Sequence, residues 1–480
     1  MKPPQNIRLG IGIDYGTSNS AAAIFDGKKI HLVQLESNTK IMPSAIYIDK
    51  DYQIATGREA IESYIESNMG RTVELSAEIL GEQRASTGQI GDRGLPEEAN
   101  TEKVYGQSFV DGGQKGRLFR GIKRLLGSSP GTRLIVFDRP FRLVALITPL
   151  LVKVKNAISE AAHKNFNNNH SMMHACIGHP VNFEGEHQNK NETALKLLSE
   201  AYKYAEIIEQ THYPEPIAAA ASYLYDHPRA HEKILLAVDF GGGTLDLCIL
   251  KKNDQDFSVI VTHGVGLGGD HIDQVLFREL IFPLLGKGER WSRSGEDREI
   301  ETNFPFEEYE DLLVNWTISY ILNQNKYTTP LMQCIKNSRS ASVKFQRLYD
   351  LIKNNYSYLV FNYLKELKAM LSSQNSAKLD IPELDIEIVV TRDEFESYIV
   401  ELLNKFNRAV LDLLSKTNLN PQEIELVIRT GGSSLIPAFK NILENLFPKK
   451  VIEHDPFTSV ASGLAIADFN NLGKKLEHES

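Results

Sequence analysis

Two short stretches set a carboxylate just ahead of a glycine turn and an apolar run just after it. They are Asp14-Tyr15-Gly16-Thr17-Ser18-Asn19 in IGIDYGTSNSAAAIF and Asp239-Phe240-Gly241-Gly242-Gly243-Thr244 in AVDFGGGTLDLCIL. A third turn, Gly431-Gly432-Ser433, follows the apolar run ELVIRT. Glycine lets the backbone come near an anion, because no Cβ stands between the amide N–H groups and the ligand. The hydroxyls of Thr17, Ser18, Thr244 and Ser433 beside these turns add further donors. A carboxylate next to a polyphosphate repels it unless a cation lies between, so Asp14 and Asp239 are expected to hold a hydrated Mg2+ through its waters. One such turn is as readily a hairpin turn or a helix cap. Three of them, two with an acid in matching register, point to a phosphate cradle. The P-loop pattern GxxxxGK[ST] is absent, and a Rossmann reading is disfavoured with it.

The elements that must carry these turns come in two similar sets. Shifted by 225 positions, Ile11 falls on Leu236, Ile13 on Val238, Asp14 on Asp239, Tyr15 on Phe240, Gly16 on Gly241 and Ile24 on Ile249. A second pair, EPIAAAASYLYDH from Glu215 and DPFTSVASGLAIADF from Asp455, reads as acid, proline and a helix rich in small residues, at a spacing of 240. Proline suits the first helical position, and small faces let helices approach closely, so these two helices are expected to cross beneath a cleft. Helical spacing over 149–166 and 189–205, strand-like runs over 174–181 and 233–240, and a strand, Gly-Gly turn and helix over 423–447 predict an α/β protein with sheets covered on both faces. The polar stretches 76–113 and 285–305 read as insertions or mobile loops, and 345–373 as one or two helices.

Composition narrows the partners. The 480 residues carry a net charge of −9, which argues against nucleic acid as the main partner. Three cysteines, Cys176, Cys248 and Cys334, lie too far apart for a CxxC site and suit a reducing cytosol. The start lacks the apolar core of a secretory signal, and the longest apolar run, 143–152, falls short of the ~20 residues a bilayer requires. A cytoplasmic protein without membrane contact is expected. His174 and His179 have no third ligand nearby in the sequence and read as ordinary histidines rather than metal ligands.

Taken in order, IGIDYGTSNSAAAIFDG, YPEPIAAAASYL, VDFGGGTLDLCIL, GLGGDHID and IRTGGSSLIP resemble the two phosphate loops, a connecting segment, a following loop and the adenosine-side loop of the ATPase domain of DnaK-type heat-shock chaperones. These chaperones lie within the actin and sugar-kinase superfamily. FRGIKRLLG at 119–127 is similar to the segment bearing that family's catalytic lysine. The resemblance runs from about residue 9 to 468, and with the sequence ending at Ser480 it is closest to the short YegD-like branch, an ATPase module standing alone. It implies a two-lobed actin-like fold, each lobe a mixed, ribonuclease-H-like sheet with flanking helices and an inserted subdomain, with a nucleotide cleft between the lobes. Residues 1–235 would form lobe I, with an insert at about 40–145; residues 236–450 would form lobe II, with an insert at about 272–388; residues 451–480 would return to lobe I.

By the same resemblance Asp14 and Asp239 hold the Mg2+ waters, one from each lobe. Thr17, Ser18 and Asn19 line one side of the phosphates, and Gly241, Gly242, Gly243 and Thr244 the other. Lys123 supplies a fixed positive charge, and Glu215 and Asp246 orient water, one of them as base; Asp239 completes the catalytic set. A plain reading stays open for each: Lys123 as a surface lysine, Glu215 as a helix cap and Asp246 as a hairpin residue. Gly268, Gly269, Lys368, Ser372, Gly431, Gly432 and Ser433 fall on the nucleoside side. There the chain departs from the family: Lys365 stands where a glutamate is usual, Ala369 and Leu435 where two arginines flank adenine, and Phe457 where an acid is usual. Phosphate and Mg2+ binding is therefore a firmer expectation than adenine selectivity. The implied function is a slow Mg2+-dependent ATPase of chaperone type, using ATP and ADP, whose lobe closure an unidentified protein partner senses; a monomer is expected. Two alternatives stay open, a nucleotide-controlled scaffold with negligible turnover and a small-molecule kinase of the same fold.

Overall fold

The computed structural model describes residues 8–73, 75–85, 100–111, 113–129, 131–166, 174–185, 188–227, 233–253, 256–294, 299–337, 341–417, 419–455 and 457–473. Contact density divides the chain into two compact units. The first comprises Met1–Ile65, Gly116–Leu284 and Leu359–Ser480; the second comprises Glu66–Lys115 and Leu285–Tyr358. Both large sheets belong to the first unit.

Those two sheets have one plan. In the first, Gly10–Tyr15 pairs antiparallel with Asn19–Phe25, which pairs antiparallel with Ile30–Leu32 and Met42–Pro43. On its other side it runs parallel to His174–His179, and that strand runs parallel to Glu209–Pro214. In the second, Ile234–Phe240 pairs antiparallel with Leu245–Asn253, which pairs antiparallel with Asp256–Val265, and on its other side come the parallel strands Leu426–Thr430 and Val451–Glu453. The hairpin register is also shared: Tyr15 faces Ser20 and Phe240 faces Leu245, so each turn is closed by an aromatic residue immediately after the acid. The internal repeat is thus a repeat of topology as well as of sequence.

Alternation along the central strands explains how they are covered. Ile11, Ile13 and Tyr15 join the core under the helices Leu143–Phe166 and Lys190–Tyr204, whereas Gly10 and Gly12 meet the helix Ser459–Phe469. A Cβ on Gly12 would lie 2.2 Å from the Ala461 carbonyl oxygen, so glycine is what lets the helix lie against the strand. That helix follows the second sheet in the chain yet packs on the first. Reciprocally, Glu215–Asp226 follows the first sheet and packs on the second, with Ala218 and Ala220 against Leu235 and Ala237. The two helices touch each other, and at Gly463 a Cβ would come 1.8 Å from the Ala218 carbonyl oxygen. The expected crossing of two small-residue helices is therefore present, although the second begins at Ser459, three residues beyond Pro456, which lies outside the described residues.

In the second unit the polar stretches carry strands rather than loops alone. Leu75–Ala85 and Asn100–Asp111 form an antiparallel ladder, and so do Arg290–Ser294 and Glu299–Asn303. Residues 86–99 and 295–298, also part of the expected loops, lie outside the described residues. Two-stranded ladders are held by backbone hydrogen bonds, which polar and glycine-containing sequence does not advertise. Residues 345–373 fall on two helices, Ser342–Lys353 and Ser357–Ser373, separated at Asn355, whose φ of 54° no helix sustains. Among the described residues no helix is long and apolar enough to cross a membrane.

Candidate functional site

Both acidic turns open into one cavity of about 920 Å3 inside the first unit. Each aspartate sits one residue before the end of a central strand, so its carboxylate projects where the sheet stops and the turn begins. Across the cavity the turns nearly touch: a Cβ on Gly242 would come 2.8 Å from Ser18 Oγ. The first turn is braced by Ser44, whose hydroxyl donates to the Gly16 carbonyl at 2.7 Å and whose N–H donates to Ser18 O at 2.9 Å. The second is closed by Gly241 N–H to Thr244 O at 3.1 Å. It is supported by Gly269 N–H to Gly241 O at 3.0 Å and Asp270 N–H to Gly242 O at 2.8 Å. The third turn leans on it, since Ser433 Oγ donates to Gly241 O at 3.1 Å.

All but one of the residues anticipated from sequence line this cavity: Asp14, Gly16, Thr17, Ser18, Asn19, Lys123, Glu215, Asp239, Gly241, Gly242, Gly243, Thr244, Asp246, Gly269, Lys368, Ser372, Gly431, Gly432 and Ser433. Gly268 does not. A Cβ there would lie 2.3 Å from Gly242 O, so its place is under the second turn as a packing position at the start of the helix Gly269–Leu276. The run Gly264–Gly269 does fit the spacing GxGxxG, but it leaves an antiparallel strand and belongs to no βαβ unit.

Lys123 is not a surface lysine. It lies on a single 3-10 turn, Ile122–Leu125, which follows Gly121 in the left-handed region at φ 67° and brings the side chain inward. The residue is 5% exposed, and its ammonium donates to Glu215 Oε1 at 2.6 Å. Glu215 opens the first crossing helix, so this pair ties the segment before residue 130 to the strand-to-helix junction at 214–215. Lys123 is pulled two ways: burial lowers its pKa, Glu215 and Asp14 raise it, and the net direction is up.

The carboxylates are under strain of charge. Burial is the largest cause lifting Asp14 to about 8, with Glu215 and Asp239 adding to it and Lys123 opposing. Asp239 is pushed to about 7 by burial first, then by Asp246 and Glu215, against a hydrogen bond from Thr430 Oγ1 at 3.2 Å. Asp246 reaches about 6, again chiefly through burial, although Thr244 Oγ1 donates to its Oδ2 at 2.8 Å. Four acids and one ammonium thus share this part of the wall, an arrangement suited to a ligand that brings positive charge with it. Among the described residues no cluster of three or more His, Cys, Asp or Glu side chains is arranged to hold a metal ion directly. The histidines singled out in the sequence are engaged with the protein, His174 with Leu9 O and Asp468, His179 with Pro180 O.

On another part of the wall the polar side chains bond one another. Lys368 Nζ donates to Asp273 Oδ1 at 2.5 Å and to Gly269 O at 3.2 Å, and Ser372 Oγ donates to Lys368 O at 2.9 Å. Burial lowers the pKa of Lys365 beside them, against Asp270 and Asp273.

Several cavity residues escaped the sequence reading. Behind the lining, Thr430, which bonds Asp239, could have been suspected as a hydroxyl directly before Gly431. Asp270 and Asp273 were visible as acids spaced by three after Gly268-Gly269, which puts both on one helical face. Arg124 and Glu184, which pair through two bonds at 2.8 and 3.0 Å, carried no local signal, because 60 residues separate them.

Comparison with known proteins gives this geometry a relation. The family model described as Hsp70 protein matches residues 149–287 and 340–469, together more than half of the chain. A chaperone protein HscA homolog from Aromatoleum aromaticum (strain DSM 19018 / LMG 30748 / EbN1) is 24% identical over 468 residues, 96% of this chain and 58% of that protein. The chain spans less than two thirds of the length of this relative.

Proposed function

The chain belongs to the Hsp70 family, with its two-lobed actin-like ATPase fold, and from that premise we propose that it binds ATP with Mg2+ and hydrolyses it slowly as a chaperone-type protein. The observation that carries this reading is the convergence of two acidic glycine turns, from two sheets of one plan, on a single cavity. The donor set suits a hard cation: Asp14 and Asp239 are oxygen ligands whose charge burial has made costly, and a divalent ion relieves that cost. When bound, Mg2+ would neutralise charge on the terminal phosphates. Thr17, Ser18 and Asn19 would meet those phosphates from one side, and Gly241, Gly242, Gly243 and Thr244 from the other. Nucleoside contacts would fall to Gly269, Lys368, Ser372, Gly431, Gly432 and Ser433.

Roles can be divided among the remaining groups on physical grounds. Glu215 Oε1 already accepts from Lys123, which orients the ammonium as a fixed positive charge for the terminal phosphate. Asp246, held near 6 and fixed through Oδ2 by Thr244, would take a proton from water at neutral pH. Turnover would be slow because the lobes must reopen to release product, with the crossing helices as the pivot. A protein partner would sense that movement, as a monomeric cytoplasmic chaperone would require.

Titration calorimetry with Mg-ATP, beside single-turnover phosphate release, tests the proposal. Binding that Asp14→Asn or Asp239→Asn abolishes, with phosphate release that Lys123→Ala abolishes, is expected. Absence of any heat with Mg-ATP would overturn it; binding without phosphate release would leave a nucleotide-controlled scaffold.

A further inference from the structure

The cavity has apolar lining as well as polar. Ala369, Leu435, Ile436 and Phe457 are among its lining residues, and Phe457 stands against Gly432 of the third turn. Phe457 is 50% exposed, so a large part of its ring is available to whatever enters. The ring is nonetheless held. Its edge rests against Gly432, where a Cβ would come 2.9 Å from Cε1 and 3.0 Å from Cζ. Its backbone is pinned by Asp455, whose Oδ1 accepts from the N–H groups of Phe457 and Thr458, both at 3.0 Å, and whose Oδ2 accepts from the Thr458 hydroxyl at 2.5 Å. The turn and the Gly432 contact fix where the ring stands.

Three polar side chains of the same lining are engaged with the protein. Lys368 is bonded to Asp273 and Gly269 O, Ser372 to Lys368 O, and Ser433 to Gly241 O. A base can be told from other bases only by donors and acceptors that meet its edge, whereas stacking accepts any base because each has a π face. Ala369 and Leu435 stand in place of the two arginines and Phe457 in place of the acid, so the lining offers an aromatic face rather than a guanidinium.

We propose that Phe457 is the platform on which the nucleotide base stacks, and that the site consequently takes nucleoside triphosphates with little discrimination among bases. The proposal rests on the reading of the acidic turns as a phosphate cradle and adds to it the determinant of base choice. Removing the ring should weaken every nucleotide alike, since stacking contributes without regard to sequence, and should leave a ligand that has no base untouched.

The test is calorimetric titration of the whole chain with the Mg2+ complexes of ATP, GTP, CTP and inorganic tripolyphosphate, on the native protein and on Phe457→Ala and Phe457→Trp. The expected result is ATP and GTP within about threefold of each other and CTP within about tenfold, because purines stack better than pyrimidines. Phe457→Ala should weaken all three nucleotides by about tenfold, a loss of about 1.4 kcal/mol, without changing tripolyphosphate, and Phe457→Trp should restore or tighten them. Preference for ATP over GTP by about a hundredfold, or nucleotide affinities unchanged in Phe457→Ala, would overturn the proposal while tripolyphosphate binding leaves the phosphate cradle standing. Failure of tripolyphosphate and of all three nucleotides to bind would overturn the cradle and the platform together.

Discussion

Exchanging the partners of the buried Lys123–Glu215 pair, one at a time, should move the protein's pH stability in opposite directions. Glu215 raises the pKa of Asp14, Asp239 and Asp246, and Lys123 lowers all three. Each aspartate titrates higher in the folded protein, at about 8, 7 and 6, than its ordinary 3.8. The folded state therefore keeps protons that the unfolded chain has released. Stability from these groups is complete below about pH 4 and is lost as pH rises through 6 to 8. The smallest rise alone, Asp246 to about 6, corresponds to about 3 kcal/mol at about 1.4 kcal/mol per unit. Lys123→Met leaves Glu215 as an uncompensated buried charge, costing roughly 3 to 5 kcal/mol at pH 8, and it should steepen the decline. Glu215→Gln keeps an oxygen for Lys123 at the same place while removing a negative charge, and it should flatten the decline and match or exceed the native protein at pH 8. Urea unfolding from pH 5 to 9, without Mg2+ or nucleotide, reads both effects. A Lys123→Met slope indistinguishable from the native one, or a steeper slope in Glu215→Gln, would refute this account of the charges.

Three other outcomes follow from the same structure. On the proposed reading Mg2+ would compete with protons for Asp14 and Asp239, so Mg-ATP affinity should rise from pH 6 to 8 with release of protons; calorimetry in two buffers of different ionisation enthalpy would count them, and no buffer dependence would contradict the competition. Gly463→Ala drives a Cβ to within 1.8 Å of the Ala218 carbonyl oxygen and should cost at least about 1 to 3 kcal/mol in urea unfolding, without rescue by Ala218→Gly because the obstacle is backbone. Arg429, 3% exposed, donates to Ser434 O and to Glu453 at 3.4 Å, so Arg429→Met leaves a buried carbonyl unpaired at the third turn and should cost about 1 to 3 kcal/mol; an unchanged urea midpoint would show that the turn holds itself.

What could be read without coordinates divides by the range of the interaction. Turn chemistry is local: an acid, an aromatic and glycines within a few residues specify a hairpin end, so both acidic turns and their pairing across the repeat were legible. So were the crossing helices, because small residues at helical spacing state in one segment how near a neighbour can come. Lys123 was not. Its burial depends on Gly116–Arg120 adding to Ala45–Asp49, some 70 residues earlier in the chain, and on Glu215, 92 residues later, and neither end carries a mark of the other. The polar ladders at 75–111 and 290–303 were hidden for a related reason, since backbone bonds leave no periodicity in side-chain type. Phe457 lies between the two cases. Its identity was plain in the sequence as a departure, but whether an aromatic ring at that position is spare surface or a wall depends on Gly432, which folds back against it from 25 residues upstream. The residues proposed to hold phosphate are thus set by neighbours in sequence, whereas the buried charge of Lys123 and the ring proposed to receive the base are set by neighbours in space.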